Sequence, residues 1–351
     1  MTAVIVNYNG GDRVVRCVEA LTRQTHPLRG ILVMDNGSED GSPDRIRERW
    51  PEVEVVFLPD NPGLPTARNA GLREVASDLV LLVDNDIYLE PDALERLVRA
   101  QVETGATVAC PRIRLLPERD IVQADGAAPH FLGTMTLLHG YRPVAELGSE
   151  RHTVPGCIGA CYLLRRSEIL EAGGFDESYF FYFEDLEFLL RLAARGHETV
   201  CEPGAVVFHD RGRGTPGLSF RGTGDYPLRR AYLSMRNRWL TMLIHYRVRT
   251  LLLLAPALLV YEGAVVAFAL RRGWGGQWWR AWAWKLRNYE EIVRQRRTAQ
   301  RARVRPDREI LTGGPIPLAP GLVHSRLLGG AVGVLSLVLD AYWRAVRPLV
   351  G

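Results

Sequence analysis

The chain has 351 residues, enough to bury a large core and to carry one big domain with an appendage. Its 47% hydrophobic and 24% charged content is that of a globular protein, and the formal net charge of +4 conceals a strong polarity: residues 1–227 hold 23 Lys+Arg against 34 Asp+Glu, residues 228–305 hold 17 against 3, and residues 306–351 hold 4 against 3. Five scattered cysteines, with no C-x-x-C pair and no Cys/His zinc spacing, exclude a disulfide framework and a structural zinc and point to a reducing cytoplasm.

The first residues, Met1 to Tyr8, enter a strand-like run at once, without the basic region and apolar core of a signal peptide. Short apolar runs at Val4–Val6, Ile31–Met34, Val53–Leu58 and Leu79–Val83 read as strands, while Asp12–Leu21, Pro43–Trp50, Thr66–Val75 and Pro91–Val102 carry helical spacing. This alternation predicts a mostly parallel, doubly wound α/β sheet with helices on both faces. Ligands of such sheets bind beyond the carboxyl ends of the strands. Three polar clusters fall there: Asn7-Tyr8-Asn9, Asp35-Asn36-Gly37-Ser38 and Asp84-Asn85-Asp86. Any one of them reads as a plain turn; three at successive strand ends predict a nucleotide cleft along one sheet edge. Asp84 and Asp86 make a hard oxygen site, suited to Mg2+ or Mn2+ that itself holds a diphosphate.

The Gly/Pro-rich segment from Asn61 to Gly71 opens a helix. Its free amides and Arg68 suit an anionic ligand, and an ordinary loop with an N-cap accounts for it equally well. Past residue 105 the pattern is mixed, with strand-like Thr107–Cys110, Asp120–Ala124 and Cys161–Arg165. An aromatic-rich approach then ends in Glu184-Asp185, where a helical pattern begins. The helix dipole favours carboxylates at such a start whatever their role. Flanked by Phe181, Tyr182 and Phe183, however, a carboxylate is partly desolvated, which raises its basicity and suits a general base. The run Ala205–Phe208 ends in His209-Asp210, where a structural histidine and a metal ligand are both open readings. Gly212 to Gly217 matches G-x-G-x-x-G literally, but Pro216 lies inside it and no strand–turn–helix unit surrounds it. It is not a dinucleotide fingerprint; an Arg-bearing flap over a diphosphate fits better.

The back of the chain reads differently, which sets the domain boundary expected at 227. Leu251–Leu270 is an apolar run of 20 residues, the length of a membrane span. Glu262 near its middle would cost about 2.5–3.5 kcal/mol on insertion. Arginines flank both ends: Arg236, Arg238, Arg247 and Arg249 before it, Arg271 and Arg272 after it. Both features argue against simple spanning. Seven of the eight tryptophans follow residue 238, several of them interleaved with Arg280, Lys285 and Arg287. That mixture fits an anchor at the headgroups of anionic lipid, and the apolar length beside it disfavours nucleic acid. The run Leu327–Leu339 reads as too short to span. Monotopic or re-entrant attachment of residues 228–351 to the cytoplasmic face of the membrane is expected, with Pro256 as a kink; a buried interdomain or dimer-forming helical pair is the competing reading.

Together these residues resemble glycosyltransferase family 2, the inverting GT-A enzymes, and in particular its bacterial rhamnosyltransferase-like branch. The resemblance covers roughly residues 2–212 and rests on VIVNYNGGD (4–12), VMDNGSEDGS (33–42), NPGLPTARNAGL (61–72), LLVDNDIYL (81–89), GCIGACYLLRRSEIL (156–170), GGFDESYFFYFEDLEFLLRL (173–192) and PGAVVFH (203–209). It implies that Asp35 holds the nucleotide base with Asn7 beside it, and that Asp84 and Asp86 take the ribose, the diphosphate and a divalent metal. His209 is a further candidate ligand, Asp185 the catalytic base, and Gly159 and Ala160, beside Glu184, line the acceptor side. The middle residue of the D-x-D is Asn85, which leaves the outer pair intact. The implied reaction moves a sugar from a nucleotide-sugar donor, rhamnose from a thymidine diphosphate donor among the options, onto a glycan or lipid-linked acceptor of the cell envelope. A sugar-phosphate nucleotidyltransferase would want a Lys-bearing phosphate loop near the N-terminus, and Val4 to Asp12 contains no lysine. A non-catalytic membrane scaffold is the other alternative, against which the intact Asp35, Asp84, Asp86 and Asp185 stand. The sequence leaves the oligomeric state open.

Overall fold

The computed structural model describes residues 1–211, 226–318 and 326–351. Strands β1 (Thr2–Asn7), β2 (Gly30–Asp35), β3 (Glu54–Phe57) and β4 (Leu79–Asp84) alternate with helices α1 (Asp12–Thr22), α2 (Ser42–Arg49) and α3 (Leu64–Glu74). Then follow β5 (Ile87–Leu89), α4 (Ala93–Thr104), β6 (Val108–Leu115), β7 (Val122–Ala124), β8 (Ala127–His130), β9 (Thr134–Leu137), β10 (His152–Val154), β11 (Cys161–Arg165), α5 (Arg166–Glu171), α6 (Glu184–Ala194) and β12 (Thr199–His209). The main sheet has the order β10-β12-β6-β11-β4-β1-β2-β3, with β5 on β12 and β7 on β6; β8 and β9 pair separately.

Strands β4, β1, β2 and β3 are parallel, as are β12 and β6, and β11 lies between the two groups antiparallel to both neighbours. That reversal positions the site. It brings the start of β11 to the edge where β1, β2 and β4 end, so that the Asp84 amide donates to the Ala160 carbonyl at 2.8 Å. Strand β12 ends at the same edge, with His209 opposite Ile87. Side chains of β1 alternate between two cores, Ala3 and Ile5 on one face, Val4 and Val6 on the other. Burial on both faces explains the absence of polar alternation in these strands. Strand β12 begins earlier than the run Ala205–Phe208, because a register shift between Glu202 and Val206 absorbs Pro203 and Gly204.

The rest of the chain is helical: α7 (Leu228–His245), α8 (Val248–Arg271), α9 (Gly275–Arg287), α10 (Tyr289–Arg301), α11 (Asp307–Ile310) and α12 (Arg326–Val346). These helices share cores with the front of the chain. Phe131, Leu132, Leu190 and Ala194 pack with Met242, Leu254 and Trp343, and Tyr179 packs with Leu240, Ile244 and Ile292.

Three expectations about this region change. Glu262, expected as a costly charge within an apolar run, is paired; it accepts from Arg238 Nη1 at 2.7 Å and from the indoles of Trp239 and Trp278 at 2.8 Å each. Its desolvation is therefore offset inside the protein. Arg236 and Arg238 are buried rather than flanking a span, and Arg236 donates to the carbonyls of Ser178 and Tyr179. The run Leu327–Leu339 is the first part of a 21-residue helix, which continues because Asp340 accepts from the Gly314 amide at 2.7 Å and Trp343 stacks on Phe131. Both α8 and α12 are long and apolar enough to cross a membrane, and most of each is not buried within the chain. Pro256 lies inside α8 without ending it.

Candidate active site

The floor of the site is a hydrogen-bonded network at the ends of β1 and β2. Asn7 Nδ2 donates to Asp35 Oδ1 at 2.8 Å and to Ser42 Oγ at 3.0 Å. Asp35 also accepts from the amide and hydroxyl of Ser38, at 2.9 and 2.6 Å. Both residues are fully buried and lie beneath the cleft rather than on its surface. The residue of that strand end that does face the cleft is Asn36, whose Oδ1 is buried and has no hydrogen-bond partner. Asn85 ties the D-x-D turn to this floor by donating to Asn7 Oδ1 at 3.0 Å. A Cβ on Gly10 would stand 2.3 Å from Asn7 Oδ1 and 2.7 Å from Asn85 Nδ2, so only glycine lets the loop close over the network.

Above it lies a cavity of about 380 Å³. Eight of the ten residues expected at the site line it: Arg68, Asp84, Asp86, Gly159, Ala160, Glu184, Asp185 and His209. Arg68 is the hub. It is 2% exposed, and its Nη2 donates to Asp84 Oδ1 at 2.8 Å and to the Gly159 carbonyl at 2.6 Å, while Nη1 lies 3.6 Å from Glu184 Oε1. Gly159 is a glycine because a Cβ there would meet Arg68 Nη1 at 2.9 Å and Asp185 Cβ at 3.2 Å. Burial pushes the Asp84 carboxyl up to about 6; Arg68 opposes the shift and the Asp86 charge adds to it.

Glu184 and Asp185 begin α6, at the end of an aromatic loop with an unusual backbone. Phe180, Tyr182 and Phe183 all have positive φ, at 62°, 64° and 68°, a conformation costly for bulky residues. Helix α7 holds it in place. Asn237 Nδ2 donates to the carbonyls of Tyr179, Phe181 and Tyr182, the last at 2.6 Å. Asp185 Oδ2 accepts from the Gly159 amide at 3.1 Å and Oδ1 from the Leu186 amide at 2.8 Å. Burial raises its carboxyl above the usual range against those two bonds. Glu184 is raised too, by burial and by the Asp185 charge, and its Oε2 has no partner. The two differ in their partners: Asp185 is held by two amides, whereas Glu184 has only Arg68 Nη1 nearby.

At the other end, the Asp210 amide donates to the Asp86 carbonyl at 2.8 Å, which locks the end of β12 to the D-x-D turn. His209 Nε2 then stands 3.3 Å from Asp86 Oδ2, and its Nδ1 stands 2.8 Å from Gln123 Oε1. An amide oxygen only accepts, so Nδ1 donates to Gln123, which turns the other ring nitrogen, Nε2, toward Asp86. A carboxylate beside an imidazole nitrogen is a donor set that fits a divalent cation. Among the described residues no cluster of three His, Cys, Asp or Glu side chains is placed to hold a metal, and Asp84 is engaged by Arg68. Asp86 and His209 are the two side chains that could hold Mg2+ or Mn2+, ions that often take only one or two protein ligands when bound with substrate phosphates.

Residues 2–170 match the sequence profile of glycosyl transferase family 2. Over that stretch, just under half of its length, the chain is similar to glycosyl transferase family 2. It is 29% identical over 238 residues to N-acetylglucosaminyl-diphospho-decaprenol L-rhamnosyltransferase of Mycobacterium tuberculosis, an alignment covering 61% of this chain and 77% of the relative. Among solved structures, the mannosyltransferase PcManGT from Pyrobaculum calidifontis, in complex with GDP-Man and Mn2+, superposes with a TM-score of 0.51 at 16% identity over 85% of both chains. GalNAc-T7 with UDP, GalNAc and Mn2+ superposes with a TM-score of 0.57 at 17% identity, over 70% of this chain and 48% of that one. This chain thus matches about half the length of GalNAc-T7. At such identities the two structures attest the GT-A-type fold.

The structure adds residues that the sequence did not single out. Gln123, on β7, orients His209; Asn237, on α7, holds the aromatic loop; Asn36 and Arg230 line the cavity. For Asn36 the signal was present, since it sits inside the predicted strand-end cluster. For Gln123 and Asn237 there was none, because each acts across a long sequence separation. The predicted flap at Gly212 to Gly217 lies outside the described residues.

Proposed function

We propose that the chain is an inverting glycosyltransferase that transfers a sugar from a nucleoside-diphosphate donor to a hydroxyl of a lipid-linked glycan of the cell envelope. The observation that carries this reading is the convergence of Asp84, Asp86 and Asp185, from distant parts of the sequence, on one cavity organised by Arg68. The donor base lies against Asn36, and buried Asp35 and Asn7 position that loop from below. The donor diphosphate lies toward Asp86 and His209. A divalent cation shared by these two residues and the donor phosphates would offset the charge that grows on the leaving diphosphate.

The acceptor hydroxyl sits at Asp185. Asp185 takes its proton as the oxygen attacks the anomeric carbon from the face opposite the diphosphate. One C–O bond forms and the C–O bond to the phosphate breaks, with its electron pair leaving on the nucleoside diphosphate. The configuration inverts in a single displacement, and the protein supplies no covalent nucleophile.

The relative in Mycobacterium tuberculosis transfers L-rhamnose to a diphospho-decaprenol-linked sugar, so a deoxyhexose donor and a polyprenyl-diphosphate acceptor are the first pair to test. A lipid acceptor agrees with the surface of α8. Thr250, Leu254, Ala257, Leu258 and Tyr261 are buried on one side, and Leu252, Leu259, Val260 and Leu270 are 53–73% exposed on the other. A helix with one face on protein and one apolar face outward suits monotopic attachment to the cytoplasmic leaflet better than a span. The test is a screen of nucleotide sugars for donor hydrolysis and transfer, with NMR of the product's anomeric centre. Inverted product supports the reading; retained configuration, or no turnover with any sugar nucleotide, overturns it.

A further inference from the structure

A second cavity, of about 370 Å³, adjoins the first between α7 and α8. Asp185 and Arg230 line both, so the two meet where the reading above places the acceptor hydroxyl. The walls of this second cavity are of two kinds. Tyr261 and Val265 of α8, with Leu318, make an apolar side. The polar side is made by Arg238, whose guanidinium lies 4.7 Å over the Tyr261 ring, and by Thr134. Arg238 is 5% exposed; its Nε donates to the Leu132 carbonyl and its Nη1 to Glu262, but Nη2 has no hydrogen-bond partner. Thr134 Oγ1 is likewise buried without one. Leaving such donors dry and unmade is costly, and two of them lining one cavity indicate a polar ligand. The α8 that forms the apolar wall also carries the exposed stripe Leu252, Leu259, Val260 and Leu270 on its other side.

We propose that this groove seats the phosphate-bearing lipid of the acceptor: Arg230, Arg238 and Thr134 hold its phosphate oxygens, and the start of its hydrocarbon chain lies on Tyr261, Val265 and Leu318. The proposal rests on the reading of Asp185 as the group that receives the acceptor proton. It commits to a lipid phosphate because the groove joins donors for an anion to an apolar wall on the helix that bears the exposed apolar face. A free anion would use only the first and an apolar peptide only the second.

The test uses the full chain with Mg2+ and with the donor cleft saturated by uridine or thymidine diphosphate. Binding of farnesyl diphosphate, farnesol and inorganic pyrophosphate is measured by calorimetry. Farnesyl diphosphate is expected to bind at least about tenfold tighter than either fragment, since only it fills both walls. Thr134→Val removes one donor without adding bulk and is expected to weaken it roughly fivefold. Val265→Trp fills the apolar side and is expected to weaken it about tenfold or more. Melting temperature and nucleotide affinity of each variant show that the fold and donor cleft are intact. Equal binding of farnesol and farnesyl diphosphate, or indifference of farnesyl diphosphate to both substitutions, overturns the proposal. Normal donor hydrolysis in that event would leave the sugar-transfer reading standing, and absence of donor hydrolysis with normal farnesyl diphosphate binding would do the reverse.

Discussion

Replacing Asp185 by Asn removes the proton acceptor while keeping nearly the same volume at the head of α6. Two of its contacts set the structural cost. Asp185 accepts from the amides of Gly159 and Leu186; an Asn side chain has one oxygen, so one of those amides loses its partner, at about 1–3 kcal/mol of stability. The chemical cost is larger. Losing a positioned general base typically reduces the rate by about 10²–10⁴-fold, which is roughly 3–5 kcal/mol at 1.4 kcal/mol per decade. The donor contacts proposed at Asn36, Asp86 and His209 are separate side chains that the substitution leaves in place. The expected result of steady-state kinetics is therefore a kcat lower by at least about a hundredfold, with donor affinity within a factor of about two, as read by calorimetry with the donor nucleotide. A variant that keeps kcat within tenfold of the parent, or that loses donor binding in parallel, refutes the assignment of Asp185 as base.

Other outcomes follow from the same geometry. Glu184→Gln mimics the protonated acid and is expected to cost less than about tenfold in kcat, against the far larger loss at Asp185. Because the Asp185 carboxyl is raised, kcat is expected to fall on the acid side at a pH above the ordinary Asp value near 4, as read from a pH–rate profile. Arg68→Met leaves Asp84 and Glu184 without their cation and is expected to destabilise the fold by about 3–5 kcal/mol. Both carboxyls are raised in the folded state, so their ionised forms oppose folding, and this loss in chemical denaturation is expected to be greater at pH 8 than at pH 5. Asn237→Ala cuts three hydrogen bonds to the loop of positive-φ aromatics, and is expected to reduce kcat more than donor affinity. Leu259→Glu on the exposed face of α8 is expected to abolish liposome flotation at unchanged melting temperature. Truncation at residue 227 is the wrong test of attachment, because it would strip the cover from Leu190, Ala194 and Tyr179.

Much of the front of the molecule was legible because local pattern and tertiary role coincide there. The runs at Ile31–Met34 and Leu79–Val83 are apolar without alternation because both faces of their strands are covered, and Asp84 follows where the strand must stop being apolar. The reversal of β11 was not legible, since Cys161–Arg165 reads as a strand in either direction; yet that reversal is what sets Gly159 against Arg68. The basic tail misled for a related reason. Arg236, Arg238 and Glu262 look like membrane flanks and a membrane fault when counted along the chain, but they meet one another and the aromatic loop in space. Long-range polar pairing has no local period. The support given by Asp35 was hidden in the same way: the resemblance implies a base contact for it, and the structure adds buried hydrogen bonds to Asn7 and Ser38 that span 28 and 3 residues.

The most direct test of the account is a crystal structure with a nucleoside diphosphate and Mn2+, using anomalous scattering to find the metal. One strong peak is expected between Asp86 and His209 Nε2, with the diphosphate beside it and the base against Asn36. A diphosphate bound elsewhere, or a metal site that excludes Asp86, would contradict it.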